Sequence, residues 1–246
     1  MPGSEASARQ AEYYEATSEA YDSMHVAEND EHMVALGHVS DLIAGRGFRS
    51  VLDVGAGTGR AIAYLSRRHP DLELRGVEPV QALIDVAVDR HGVEPGVIVP
   101  GDGVRLPFED DAFDVVCEFA VLHHVERPDA VVAEILRVAR HAVCLSDDNR
   151  FANGSAAMRL AKLALHRSGI WEPALRIRNR GRRWRYTDDD GVFYSYSVYD
   201  SFAALAAWGD RAFFIPTDPH GPSGWFHPLL TSGHVLLCAL READVA

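Results

Sequence analysis

The sequence predicts an α/β protein built on a doubly wound parallel sheet, and two observations carry this prediction. Short apolar runs alternate with helical stretches through the first 146 residues, which is typical of parallel strands joined by crossover helices. One of these runs passes through a glycine cluster at residues 55–59 directly into a helix, as a strand–turn–helix unit requires. The hydrophobic content of 47% and the charged content of 24% exclude a wholly disordered or fibrous chain.

The elements follow from the period of the apolar residues. Two helices precede the first strand, and the second of them places its apolar residues on one face. From there strands and helices alternate. We predict helices over Ala6–Ala20, Glu31–Ile43, Ala61–Arg68, Ala82–Arg90 and Asp129–Arg140, and strands over Ser50–Val54, Leu72–Val77, Val97–Val99, Phe113–Cys117 and Ala142–Leu145.

The alternation stops at residue 147 and resumes near residue 200. The intervening segment contains many arginines, a turn signal at Asp188–Gly191 and a dense aromatic run. A helix that Asp200 caps and that continues through Trp208, and strands over Ala212–Ile215 and Val235–Leu240, then complete the domain. We therefore predict a single domain, in which residues 147–199 are an insertion and residues 200–246 supply the closing helix and strands.

The net charge of the chain limits the classes of partner that it can bind. The chain has 36 acidic and 24 basic residues, a net charge of −12, which argues against nucleic acid or an anionic membrane as the partner. The first 150 residues hold 27 of the acids and 13 of the bases, so the charge of a substrate is better judged from the near-neutral second half. No apolar signal core or membrane span is present, and the three cysteines are scattered. We expect a reduced, cytoplasmic protein, and an oligomer is compatible with the sequence.

Three loops at the ends of successive strands point to a nucleoside-type ligand. The first strand leads into VLDVGAGTGR at Val51–Arg60, where glycines let a ligand lie against the backbone at a helix N-terminus. Glu78 ends the second strand and can accept both hydroxyls of a ribose, whereas Asp102 follows the third and can accept from an adenine amine. For either carboxylate on its own, a solvated loop charge would be the favoured explanation. Together the loops converge where doubly wound sheets bind ligands.

The blocks VLDVGAGTGR, GVEPV, GDGVRLPF and FDVVCEFAVLHHVERP, in this order over residues 45–146, resemble the class I S-adenosylmethionine (SAM) dependent methyltransferases. The resemblance implies a Rossmann-like, seven-stranded sheet with an antiparallel last strand, a SAM-binding core over residues 46–146, and S-adenosylhomocysteine (SAH) as product. It implies that the cofactor is bound by Gly55, Ala56 and Gly57 at its methionine part, Glu78 at the ribose, Pro79, Asp102 and Gly103 at the adenine, and Phe119 and Ala120 near the sulfonium, with Asp53 as a further cofactor-binding residue.

The N-terminal residues 1–45 are similar to the helical lid of many such enzymes. Tyr14 and Tyr21 lie two turns apart on one helical face, ahead of His25, and an aromatic face attracts a sulfonium through cation–π interaction. We therefore add these three residues to the cofactor-binding candidates. The alternative is that the aromatic side chains only pack a surface helix on the core.

Three residues are candidates for catalysis. His123 or His124 could act as general base on a hydroxyl nucleophile, although a structural role in the cofactor loop explains the pair as well. No metal is expected there, because adjacent side chains point in different directions and no third ligand is spaced nearby. Asp147, after the fifth strand, could orient or deprotonate the acceptor, or it could cap the following helix.

The insertion supplies the substrate-binding candidates. Leu175–Tyr186 holds six arginines and is predicted to form an exposed hairpin with residues 192–198, one strand face being cationic. This face is either a charge-protected sheet edge, a clamp for an anionic substrate with Arg180 among its contacts, or a nucleic-acid contact. Tyr196, Tyr199 and His227 are the candidates for an apolar pocket wall.

These observations predict methyl transfer from SAM to an oxygen, with nitrogen second, of a small molecule of anionic or sugar-derived type. The methyl group would move by in-line displacement, and positioning alone supplies much of the rate, so that a dedicated base is not required. Two alternatives stay open at this point. One is methylation of a peptide or nucleic acid held by the arginines, and the other is a SAM-binding protein of this fold without methyl transfer.

Overall fold

The computed structural model describes residues 4–25, 30–152, 154–188, 190–218 and 228–242. Seven strands form one sheet in the order β3-β2-β1-β4-β5-β9-β8, and a separate hairpin consists of β6 and β7. β9 runs antiparallel to both of its neighbours, whereas the pairs from β3 to β5 are parallel, so the predicted sheet with an antiparallel last strand is confirmed. The strands are β1 Ser50–Val54, β2 Glu73–Glu78, β3 Ile98–Pro100, β4 Phe113–Phe119, β5 Ala139–Asp148, β6 Trp184–Thr187, β7 Gly191–Tyr194, β8 Arg211–Pro216 and β9 His234–Leu240.

The helices begin and end at residues that favour termini. The Asp30 carboxylate accepts a hydrogen bond from the Met33 amide at 2.7 Å at the start of α3, and the left-handed Gly47 ends that helix. No described helix is long and apolar enough to cross a membrane. The helices are α1 Glu5–Thr17, α2 Tyr21–His25, α3 Glu31–Arg46, α4 Arg60–Arg68, α5 Gln81–His91, α6 Pro128–Val138, α7 Ala156–Arg167, α8 Trp171–Arg178, α9 Phe202–Trp208 and α10 Pro228–Thr231, with 3₁₀ turns at Leu122–His124 and Val198–Ser201.

The hydrophobic core lies on both faces of the sheet. Successive residues of β1 point to opposite faces, so Leu52 packs in the cluster that contains α6 and α9, and Val51 packs in the cluster that contains α3 and α4. All five residues of β1 are buried. Because both faces are covered, the register of the central strands is firmly determined, and their carboxyl ends are fixed in space.

Two details of the sequence prediction are wrong. The first half of the arginine-rich segment is not a strand: residues 171–178 form α8, and β6 begins only at Trp184. Arg180 and Gly181 adopt left-handed backbone angles, φ 54° and 91°, and separate that helix from the hairpin. The second concerns Asp200, which does not cap a helix but accepts a hydrogen bond from the Ser197 amide within a 3₁₀ turn that precedes α9.

The N-terminal helix α1 rests on the inserted hairpin. The Gln10 side chain accepts a hydrogen bond from the Val192 amide at 2.5 Å and donates to the Asp190 carbonyl at 3.4 Å. Ala6 packs in a small apolar cluster with Val192 and Tyr194 of β7. The insertion therefore holds α1 over the carboxyl ends of the strands.

Candidate active site

Two cavities meet at the carboxyl ends of the parallel strands. The first, which we call the glycine-loop cavity, has a volume of about 300 Å³ and extends from the β1 loop to the ends of β2 and β3. The second, the histidine cavity, has a volume of about 380 Å³ and extends toward β5 and β9. The residues that line both are Tyr21, Gly55, Gly57, Phe119, Ala120 and His124.

The β1 loop turns tightly at Gly55. Its φ is 77°, and a Cβ at this position would lie 2.4 Å from the Val121 side chain, so no other residue fits without displacing a neighbour. Gly57, also at positive φ, has no atom within 4 Å of the corresponding Cβ position, and it lines both cavities. Ala56 lines the histidine cavity. The loop thus presents bare backbone to a ligand.

Glu78 is fixed at the end of β2. The two oxygens of its buried carboxylate accept hydrogen bonds from the amides of Gly57, at 3.0 Å, and Val80, at 2.9 Å. Burial raises the pKa of Glu78 to about 7, although these hydrogen bonds act in the opposite direction. The carboxylate lines the glycine-loop cavity, where its remaining lone pairs are positioned to accept from a pair of hydroxyls.

Asp53 is a buried acid beneath the histidine cavity. It is 3% exposed, and among the described residues its Oδ1 has no hydrogen-bond partner. Burial raises its pKa to about 7, with Arg60 acting to lower it and Glu78 to raise it further. A buried carboxylate oxygen without a donor favours a ligand that brings one, such as an ammonium group.

The predicted adenine-side residues separate into two groups. Asp102 is exposed, accepts from the Val104 amide at 3.1 Å, and lines the glycine-loop cavity together with Pro79. Gly103 is not among the lining residues. A Cβ there would meet Val131 at 3.1 Å, so its glycine is explained by close packing of the loop on the core.

Aromatic residues of α1 and α2 cover the cavities. The ring centroids of Tyr14 and Tyr21 are 5.7 Å apart, and that of Tyr14 is 5.9 Å from His124. Tyr14 lines the glycine-loop cavity, and Tyr21 lines both cavities. Burial raises the pKa of Tyr21 to about 12, so its hydroxyl is neutral. The His25 side chain lies outside the described part of the chain.

Phe119 and Ala120 form the point where the two cavities join. Ala120 has a φ of 61°, which is uncommon for a residue with a Cβ, and its amide donates to the Ser146 carbonyl at 2.9 Å. Left-handed conformations outside glycine cost on the order of 1–3 kcal/mol and concentrate at functional sites. The turn directs the chain from β4 into the 3₁₀ turn that carries His123 and His124.

Asp147 holds His123 in place. The carboxylate of Asp147, which is fully buried, lies 2.7 Å from His123 Nδ1 and accepts from the amides of Leu122 and His123. Burial lowers the pKa of His123, but the charges of Asp147, Asp148 and Asp190 outweigh burial and raise it to about 9. His123 is therefore an imidazolium near neutral pH.

His124 is in the opposite state. Burial and the charge of His123 lower its pKa below 6.5, although Asp190 partly offsets them. Its Nδ1 lies 2.6 Å from the Val192 carbonyl, which can only accept, so Nδ1 carries the proton and Nε2 has a lone pair. His124 therefore has the protonation state of a general base.

Asp190 and Glu118 are site residues that sequence reasoning missed. Asp190, read only as part of a turn, lies 3.5 Å from His124 Nε2 and 3.9 Å from His123 Nε2, so a third metal-ligating side chain does lie near the histidine pair. The expectation that no metal binds there stays a prediction. Glu118 is fully buried near Asp147, and burial and the charge of Asp147 raise its pKa well above the usual value.

The far wall of the histidine cavity was also missed. His234 Nε2 lies 2.8 Å from Asp148 and 3.4 Å from Glu31, and His32 Nδ1 lies 3.1 Å from the Ser146 hydroxyl. These residues come from α3, β5 and β9, and no local pattern in the sequence joins them. The antiparallel register of β5 with β9 sets Asp148 opposite His234, and the packing of α3 beside β9 adds Glu31 and His32.

The predicted substrate residues lie in different places. Tyr196 is buried, its hydroxyl 2.6 Å from that of Ser201, and it lines a third cavity beyond Asp148. Tyr199 packs on Phe214 against the core, with ring centroids 4.4 Å apart, and lines none of these three cavities. Arg180 is exposed and also lines none of them. His227 lies outside the described residues.

The sheet order and the glycine-loop site define the class I methyltransferase fold. A solved structure of magnesium protoporphyrin IX methyltransferase from Synechocystis PCC 6803 with bound SAM has a TM-score of 0.61 to this chain at 15% identity, and the alignment covers 98% of this chain and 100% of that one. A possible histamine N-methyltransferase from Thermotoga maritima has a TM-score of 0.59 at 15% identity, with 95% and 100% covered.

Part of the chain is also similar in sequence to known methyltransferases. Residues 52–144 match the family model described as a methyltransferase domain. An uncharacterized methyltransferase of Mycobacterium marinum is 38% identical over 107 residues, which is 42% of this chain and 41% of that protein. The phthiotriol/phenolphthiotriol dimycocerosates methyltransferase of Mycobacterium tuberculosis is 36% identical over 95 residues, 38% of this chain and 35% of that protein. The matches thus span less than half of the curated relatives, and residues 52–144 of this chain are similar to a methyltransferase domain.

Proposed function

We propose that the protein transfers the methyl group of SAM to an oxygen, or as second choice a nitrogen, of a small-molecule acceptor. The observation that carries this proposal is the position of His124, a neutral histidine at the junction of the two cavities. When bound, SAM supplies an electrophilic methyl group on a positively charged sulfur, and in-line attack by the acceptor leaves the C–S electron pair on sulfur as SAH.

The glycine-loop cavity and the residues beside it fit SAM. Glu78 would accept from the ribose hydroxyls, and Asp102 would accept from the adenine amine beside Pro79. The bare backbone of Gly55 and Gly57 would face the methionine part. Asp53, whose buried Oδ1 has no described partner, is suited to the ammonium group of that part. Each of these residues lines one of the two cavities.

His124 would take the acceptor proton at Nε2. The hydrogen bond from Nδ1 to the Val192 carbonyl fixes the tautomer in which Nε2, 3.5 Å from Asp190, carries the lone pair. Asp147 acts as a positioning residue, because it holds His123 charged. The charge on His123 in turn keeps His124 neutral near pH 7. The pair therefore divides the roles that the sequence alone could not separate.

The histidine cavity supports a small, hydroxylated acceptor. Its wall offers the carboxylates of Glu31, Asp148 and Asp190 and the imidazoles of His32 and His234. Such groups hydrogen-bond hydroxyls in defined directions, which suits a sugar-derived or phenolic molecule. Its volume of about 380 Å³ is in the range of small-molecule sites.

The test separates binding from transfer. SAM and SAH affinities are measured by calorimetry for the wild type, Glu78→Gln and His124→Gln, and methyl-labelled SAM is then incubated with a metabolite extract of the source organism and the products analysed by mass spectrometry. We expect Glu78→Gln to weaken SAM binding, and His124→Gln to bind SAM normally but to form labelled product much more slowly. SAM binding without a labelled small molecule in any extract would contradict the proposal and favour a non-transferring SAM-binding protein.

A further inference from the structure

A third cavity, which we call the cationic cavity, lies beyond Asp148 and has a volume of about 340 Å³. Asp148 lines both this cavity and the histidine cavity. Phe193 lines the cationic cavity as well, and its ring centroid is 5.1 Å from that of His123. The two cavities are therefore adjacent, and one molecule of modest size can extend from one into the other.

The lining is strongly basic. Among the described residues that line it, Asp148 is the one acid, and it lies at the end nearest the histidine cavity. Aromatic side chains form the walls, and Arg185 stacks over Phe193 at 4.8 Å. The cations are Arg150, Lys162, Arg178, Arg183 and Arg185, and the aromatic residues are Trp171, Phe193 and Tyr196.

Arg150 is the most informative of these cations. Its side chain is only 8% exposed and forms an ion pair with Asp200 through Nη2. Its Nε is buried and has no hydrogen-bond partner within the described part of the chain. Burial lowers the pKa of Arg150 to about 10, which leaves the guanidinium charged at neutral pH. A buried N–H of a charged group without an acceptor is costly, and an entering oxyanion would remove that cost.

The arginine-rich segment divides into two sets. Three of its six arginines line the cationic cavity, and the other three do not. All six are exposed to solvent, and Arg183 also contacts Glu172 at 3.7 Å, so it is partly neutralised. The three that line the cavity do so together with the buried Arg150, and this shared cavity distinguishes them from the other three.

We propose that the cationic cavity binds the oxyanion group of an aromatic acceptor, a carboxylate, sulfate or phosphate, while the atom to be methylated reaches the histidine cavity. This inference rests on the proposed function, since it names the substrate class of the same site. Guanidinium groups pair with planar or tetrahedral oxyanions through parallel hydrogen bonds, and the aromatic walls pack on a ring. No covalent step takes place in this cavity.

The test measures anion binding without any turnover. Phenyl phosphate, benzoate and phenol are titrated by calorimetry into the full chain, the wild type being compared with Arg178→Gln/Arg183→Gln. The matched control is Arg176→Gln/Arg180→Gln, which removes the same charge from the same segment outside the cavity. We expect the cavity variant to bind phenyl phosphate at least about tenfold more weakly and the control to bind it as the wild type does.

Three further readouts make the result decisive. Phenol should bind more weakly than phenyl phosphate to the wild type and equally to all three proteins, and the comparison of benzoate with phenyl phosphate identifies the preferred oxyanion. SAH affinity should be the same in all three proteins, which shows that the fold is intact. Equal losses in the cavity variant and its control, or no preference for the anion over phenol, would overturn the inference. A failure of methyl transfer would leave this binding result unchanged, so the two proposals fail separately.

Discussion

The glycine-loop cavity and the cationic cavity recognise their ligands by different means. The first is built at strand ends, from backbone and from acids such as Glu78 that the sheet fixes in place. The second is built from long side chains on α7, α8 and the β6–β7 hairpin, and neither α7 nor α8 buries a single residue. Strands that are covered on both faces hold the residues at their ends in fixed positions, whereas surface helices hold their side chains less firmly.

This difference accounts for the extent of the family match. The matched residues 52–144 contain the glycine loop, Glu78, Asp102 and the histidine pair, and they end before Arg150 and the insertion. A cofactor that many enzymes share can be bound by one rigid set of strand ends and loops. Different acceptor molecules, in contrast, need different side chains to bind them. The comparison therefore predicts that changes in one cavity leave binding in the other intact.

The largest expected effect is on catalysis at the junction of the cavities. We expect His124→Gln to lower kcat by about 10²–10³, because a general base contributes roughly this much, while SAM and phenyl phosphate still bind. In the wild type kcat/KM should rise with pH through a pKa below 6.5, since protonated His124 cannot accept a proton. A rise centred near pH 9, the pKa of His123, would assign the base to His123 instead.

The second-largest effect is expected for Gly55→Ala, which should weaken binding in the glycine-loop cavity but not in the cationic cavity. Its new Cβ would sit 2.4 Å from Val121 at a φ of 77°, so we expect SAM affinity to fall about a hundredfold. Gly47→Ala is the matched control, because Gly47 has a φ of 68° and no atom within 4 Å of the Cβ position, and it should bind SAM normally. Phenyl phosphate should bind equally to both variants, and a parallel loss of the two ligands in Gly55→Ala would contradict the separation.

The smallest effect is expected at Tyr21, one of the aromatic residues that cover the glycine-loop cavity. Tyr21 lines both cavities, and a cation–π contact with the sulfonium is worth about 0.5–2 kcal/mol. Tyr21→Leu should therefore weaken SAM binding by about tenfold and weaken SAH binding less, since SAH has no charge on sulfur. Tyr21→Phe retains the ring and should bind both ligands as the wild type does. Equal losses of SAM and SAH in Tyr21→Leu would show that the ring only packs.

The sequence predicted the sheet and the glycine-loop cavity far better than the histidine and cationic cavities. β1 extends from Ser50 to Val54 as expected, because a short apolar run that ends in glycines strongly favours a buried strand followed by a tight turn. Glu31, His32 and His234 were missed, since they meet only through the packing of α3 beside β9. Asp190 was read as a turn residue because local chemistry explains it completely. Residues that are brought to a site only by tertiary contacts give no periodic pattern in the sequence. Arg150 was missed for the same reason.

Val192 links the helix over the cofactor to the histidine at the junction. Its amide donates to Gln10 of α1, and its carbonyl accepts from His124. If α1 swings away to admit SAM, it must break the first bond or pull on the strand that holds the second. The expected consequence is that movement of α1 also changes the orientation of His124. The two peptide groups that flank Val192 would then couple the opening of the N-terminal helix to the position of the proposed base.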